Sequence, residues 1–217
     1  MATSLELRKY KEIKALLVCK SGLRIGGTEA NISIGGAENP IIKDAKGMPY
    51  IPGSSLKGKL RSLLEYKYKR VKENGSPCDC GQPLQICPVC TIFGPHKNTK
   101  HELGPTRIIV RDAFLSANSL KDWEKARSEG VAFTETKTET SIDRRTGMAV
   151  PRTQERVNAG TEFQLIISVR IFEPDDEAKI VDIIKEAINM ISKDTLGGSG
   201  TRGYGWVEIK NLEVFDC

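Results

Sequence analysis

The stretch LGGSGTRGYG, residues 196–205, carries five glycines and one arginine, and its reading decides which folds remain open. Glycine has no Cβ and takes positive φ freely, so such a run lets backbone N–H groups curl closely round an oxyanion. Arg202 adds a planar fork suited to phosphate. Gly198, Gly200 and Gly203 match GxGxxG, but a dinucleotide fingerprint opens a helix. Here WVEIK, residues 206–210, alternates like a strand. No GK[ST] is present, so this is no P-loop, and too little chain follows for a kinase catalytic lobe. Two readings survive: a backbone cradle for a phosphate chain between a helix and a final strand, or a plain flexible turn.

Outward from that loop, residues 175–192 read as a helix with Ile180, Ile183, Ile184, Ala187 and Ile191 on one side. FQLIISVRI (163–171) reads as a buried strand, and RIIVRDAFL (107–115) as another. Leu56, Leu60, Leu63 and Leu64 recur at helical spacing, with Ser54 or Ser55 as N-cap, and residues 10–20 supply a first strand. TETKTETSIDRRTGMAVPRTQERV (134–157) alternates, is rich in Thr and Arg, and turns near 145–147. It predicts a long hairpin of little apolar content that projects from the body. Without insertions the order is strand, helix, strand, strand, helix, strand. That is the α+β plan of a ferredoxin-like (RRM-like) βαββαβ core, an antiparallel sheet with two helices on one face. The expectation is a single domain over 1–217, interrupted at about 72–100 by a cysteine-bearing module.

Four of the six cysteines, Cys78, Cys80, Cys87 and Cys90, fall in a C-x-C-x6-C-x2-C run, while Cys19 and Cys217 stand apart. No apolar run approaches the ~20 residues of a membrane span, and MATSLELRKYKEIK has no signal-peptide apolar region. The expected location is therefore the cytoplasm. Thiols stay reduced in most cytosols, so a tight cluster points to a structural Zn2+ with four protein ligands and no open position. A Cys3His set using His96 is an alternative, and disulfides are the competing reading.

The net charge is +5, from 33 Lys+Arg against 28 Asp+Glu, which is too mild to identify a nucleic-acid binder without clustering. Clusters exist. Lys57 and Arg61 lie four apart on the first helix with Lys59 nearby, and Gly53 and Ser54 precede them at a positive dipole end, a phosphate site in outline. The alternative is a solvated face opposite the leucines. Arg144, Arg145, Arg152 and Arg156 form a second cluster in the hairpin, or else an edge protected by charge.

IPGSSLKGKLRS (51–62), TETSIDRRTGMAVPR (138–152) and LGGSGTRGYG together resemble the backbone subunit of type III-A (Csm) CRISPR effector complexes, in the repeat-associated (RAMP) superfamily. CDCG and CPVC-TIFG are similar to a zinc module that some members insert. The resemblance implies several copies head-to-tail along a CRISPR guide RNA, with other Csm subunits. It implies that Ser54, Lys57, Lys59, Arg61, Gly197, Gly198, Gly200 and Arg202 grip the guide. Arg24 would also support the guide, replacing a family histidine. The hairpin, with Arg144, Arg152 and Arg156, would be a thumb propping apart the guide–target duplex by its apolar tip, Met148-Ala149-Val150. It implies cleavage of complementary target RNA with Mg2+ or Mn2+, through an aspartate in the loop after the first strand. In GLRIGGTEANISIGGAENPIIKD (22–44) that position is Glu38, two before Pro40, with Asp44 the fallback and Glu29 also near. Glutamate keeps the carboxylate but sets it one methylene further out. A histidine-pair ribonuclease does not fit, because His96 and His101 both lie beside the cysteines. A non-cleaving RNA scaffold of III-A or III-B type, and a zinc-stabilised protein-interaction module, are the alternatives.

Overall fold

The structure, a computed structural model, describes residues 5–26 and 39–217. Along the chain run β1 (Leu7–Cys19), α1 (Gly53–Lys67), α2 (Pro88–Phe93), β2 (Ile108–Val110), α3 (Ala117–Ser128) and β3 (Thr134–Ile142). Then follow β4 (Ala149–Val157), β5 (Glu162–Phe172), α4 (Glu177–Ile191), a 3-10 turn at Gly200–Arg202, and β6 (Val207–Asp216). The architecture is mixed α/β with two antiparallel sheets. One has four strands in the order β2-β5-β1-β6, and the other is the β3-β4 pair.

Alternation along the two central strands builds the core. Ile13 pairs with Ile167, Ala15 with Leu165 and Leu17 with Phe163, and all six are buried. A period of two sends them to one face. Leu56, Leu60, Leu63 and Leu64 of α1 join the same core, as do Ile180, Ile184, Ala187, Ile188 and Ile191 of α4. A buried bidentate pair, Arg107 to Asp175 at 2.7 and 2.9 Å, ties the chain before β2 to the turn before α4.

Several expectations shift. Neither Ser54 nor Ser55 caps α1: the helix begins at Gly53, after Pro52, and the Gly53 amide donates to Asp112 Oδ1 at 2.7 Å. A Cβ at Gly53 would lie 2.4 Å from the Val110 carbonyl oxygen, so glycine is required by close approach. The strand expected over 107–115 is regular only at Ile108–Val110. Asp112 leaves it to reach α1, after which Ala113 bridges to Ile51 and Leu115 to Phe163. Two helices went unread. In α3 only Leu120 and Trp123 pack on the core, too few for a periodic signal. In α2 the helix is short and opened by Pro88.

Candidate nucleic-acid interface and metal centre

The four thiols Cys78, Cys80, Cys87 and Cys90 converge, with all Sγ atoms within 4.8 Å of one another. Cys78–Cys87 is 3.8 Å, Cys80–Cys90 3.6 Å and Cys78–Cys90 3.6 Å. A tetrahedron with metal–sulfur bonds of about 2.3 Å has edges of about 3.8 Å, whereas a disulfide closes to about 2.05 Å. All four are free thiols, so this donor set fits a metal ion and not a disulfide pair. The hydrogen bond with the Cys90 side chain leads the effects that lower the Cys87 thiol below its ordinary value, while burial opposes it. His96 is outside the cluster; it contributes a backbone amide to the Cys78 carbonyl at 3.1 Å.

Arg61 points at this segment. Its Nη2 donates to the Cys78 carbonyl at 2.6 Å, its Nη1 to the Gly94 carbonyl at 3.0 Å, and its Nε to Glu65 at 2.8 Å. That guanidinium is 15% exposed and each of its three nitrogens donates to the protein, so it is turned toward the cysteine segment while Lys57, one turn earlier, stays close enough to feel its charge. Lys57 has no carboxylate partner among the described residues, and burial, then Arg61 and Arg170, lower its pKa. Lys59 pairs with Asp194 at 3.0 Å, and Ser54 is exposed. Asp112 already takes the Gly53 amide, one of the free N–H groups expected at the start of α1.

The glycine loop is folded in on the end of β1. Gly198 N–H donates to the Arg24 carbonyl at 2.8 Å and Gly205 N–H to that of Gly22 at 2.9 Å. A Cβ at Gly205 would sit 1.9 Å from the Leu196 oxygen, and one at Gly197 2.2 Å from the Arg24 oxygen. Gly197 and Gly205 therefore serve backbone packing, and five of the loop's amides, those of Leu196, Gly198, Arg202, Gly203 and Gly205, are already bonded to backbone carbonyls. At Gly200 the neighbour is the Thr195 side chain.

The same loop docks on the hairpin. Arg202 Nε lies 3.2 Å from Glu139, and Arg202 also donates to Ser199 Oγ, which is 3.4 Å from Gln154. The buried Tyr204 ring makes two cation–π contacts, with Lys137 at 4.8 Å and Arg156 at 4.9 Å. Arg156 is further held by Glu135 at 2.7 Å. Lys137, Arg144, Arg152 and Arg202, with only Glu139 opposing them, line a cleft of about 690 Å³ between hairpin and loop. Arg152 is exposed and Arg144 donates to its neighbour's carbonyl, that of Ile142.

The base of the hairpin also holds the chain after residue 38. Arg24 donates to Asn39 Oδ1, Asn39 Nδ2 donates to the Thr153 carbonyl, and Glu155 N–H donates to the Asn39 carbonyl at 3.0 Å. Glu155, buried, accepts from the Ile41 amide, Lys43 at 2.5 Å and Thr134 at 2.6 Å. Burial opposes its charge, but these three donors together hold its carboxyl below the ordinary value. Glu38 and Glu29 lie outside the described residues. Asp44 accepts the Lys46 and Met48 amides at 2.8 and 2.9 Å and so shapes a turn. Sequence reading missed Lys137, Tyr204 and Glu155; the one available hint was an aromatic residue inside a glycine-and-arginine motif.

The RAMP superfamily pattern matches residues 16–208. The CRISPR system Cms endoribonuclease Csm3 of Methanothermobacter thermautotrophicus is 41% identical, over 97% of this chain and 87% of its own. The protein of that name from Methanocaldococcus jannaschii is 38% identical, over 97% of this chain and 83% of its own. Among solved structures, a chain of the Csm3–Csm4 subcomplex in the type III-A CRISPR-Cas interference complex superposes with a TM-score of 0.61 at 29% identity. It covers 98% of this chain and 81% of that one.

Proposed function

The chain belongs to the RAMP superfamily, within it to the Csm3 endoribonucleases, and on that premise we propose that it is the guide-RNA-binding backbone subunit of a type III-A effector and cuts complementary target RNA. The observation that carries this reading is the cationic cleft in which hairpin and glycine loop meet, with four basic side chains and one carboxylate. Such a surface suits a ribose-phosphate strand held by its spine, with sequence left to base pairing. The strand order β2-β5-β1-β6 and the two core helices support a ferredoxin-like core in a single RAMP domain. The β3-β4 hairpin is its thumb, and residues 72–100 are an inserted module folded round Zn2+.

Within this reading Arg24, Lys57, Arg144, Arg152 and Arg202 face the guide and its target, and Glu38 is the cutting carboxylate. It holds Mg2+ or Mn2+, or takes the proton of the attacking 2′-hydroxyl. Asn39, stitched to the base of the hairpin, supports a cut set at a fixed distance from each thumb. Copies stack head-to-tail beside other Csm subunits in the cytoplasm. The test is the assembled complex incubated with complementary RNA and Mg2+. Regularly spaced cuts that vanish in Glu38→Ala but persist in Asp44→Ala, with guide binding kept in both, are expected. Intact RNA bound by the unaltered complex would reduce the chain to a scaffold.

A further inference from the structure

Arg61 and Glu65 sit one helical turn apart on α1, and their side chains are 15% and 9% exposed. A buried ion pair carries a desolvation cost that its attraction repays only when every donor and acceptor is matched. Here the matching partners belong to the cysteine segment. Glu65 Oε1 takes the Cys78 amide at 2.9 Å, while Arg61 holds the Cys78 carbonyl at 2.6 Å and the Gly94 carbonyl at 3.0 Å. Both backbone groups of one thiol residue are thus fixed, and the chain beyond the last thiol, Cys90, is clamped by the same guanidinium.

We infer that Arg61 and Glu65 are the positioning pair of the metal centre, holding its first ligand in place from α1, and that Arg61 does not grip RNA. The inference rests on the reading of the cysteines as a zinc site. Groups that orient metal ligands set affinity strongly, because thiolates must be held close to their bound positions before the ion arrives. Removing the pair leaves all four sulfurs in place but frees residues 78 and 94 to drift. Arg61→Lys offers one ammonium to two diverging carbonyls and gives partial function.

The test uses the full chain loaded with Zn2+ and titrated with a chromophoric chelator, alongside guide-RNA binding by the loaded protein. Glu65→Gln, which keeps the side chain's shape, is expected to surrender zinc with about tenfold weaker retention, and Arg61→Ala with up to about a hundredfold. Arg61→Lys should fall between Arg61→Ala and the unaltered chain, and guide affinity should be unchanged throughout. Retention equal to that of the unaltered chain in both Glu65→Gln and Arg61→Ala overturns the inference. So does an Arg61→Ala protein that keeps its zinc and loses RNA. If Arg61→Ala does not fold, Glu65→Gln decides by the same titration. An unaltered chain that takes up no zinc removes the metal reading itself, and this inference with it.

Discussion

Gly205 and Gly203 stand two residues apart at φ +68° and +87°, yet they carry different burdens. A methyl group at Gly203 meets open space, so Gly203→Ala bears only the left-handed backbone cost of about 1–2 kcal/mol. At Gly205 the same methyl would stand 1.9 Å from the Leu196 carbonyl oxygen, and the loop must open. Chemical denaturation should therefore rank Gly205→Ala clearly below Gly203→Ala, and equal losses would contradict the close approach. Glu155 is the second decisive residue. Its folded carboxyl lies below the ordinary 4.5, so its stabilisation is complete above that value and fades as pH falls through the lower, folded one. Glu155→Ala strands the Ile41 amide and Lys43 and should cost about 2 kcal/mol. The loss should shrink in acid, as measured by urea unfolding at neutral and low pH. None of this was readable from residue type, since a Glu in TQERV looks like any strand-edge charge.

At the scale of elements, the hairpin and α1 compare differently with their sequence readings. The hairpin matched its alternation: β3 and β4 pair in continuous register from Thr134–Val157 to Ile142–Ala149. Asp143 closes the turn by accepting the Arg145 and Thr146 amides at 2.8 Å. Its tip leaves Met148 65% and Val150 47% exposed. Replacing both with serine should change stability by no more than about 0.5 kcal/mol each. If the tip wedges between stacked bases, the same change should weaken target cutting while guide binding persists. A melting curve and a cleavage assay on one sample separate the two effects. By contrast α1 kept its leucine face while two of the groups expected to meet phosphate bond to the protein itself. Asp112 occupies the first amide and Arg61 turns to the cysteine segment. Helical spacing foretold which residues share a face, and it carried no information about what would be packed against that face.

For the molecule as a whole, a net charge of +5 says little, and the grouping of Lys137, Arg144, Arg152 and Arg202 round one cleft says more. Single-strand binding loses affinity with a log–log salt slope of about −0.7 per phosphate contact. Four contacts in one subunit therefore predict a slope of about −3, to be read from titrations at several salt concentrations; a flat dependence would remove the cleft from the RNA path. Local pattern alone determined the main helices and strands of the core, the hairpin, the four-thiol cluster and the glycine loop, because periodicity and cysteine spacing are properties of neighbouring residues. Only the tertiary structure decided that the glycines admit backbone to backbone, that Tyr204 meets two cations, and that Arg61 reaches the cysteine segment. A charged or aromatic side chain takes its role from partners that folding brings in from far along the chain, and no window of sequence contains them.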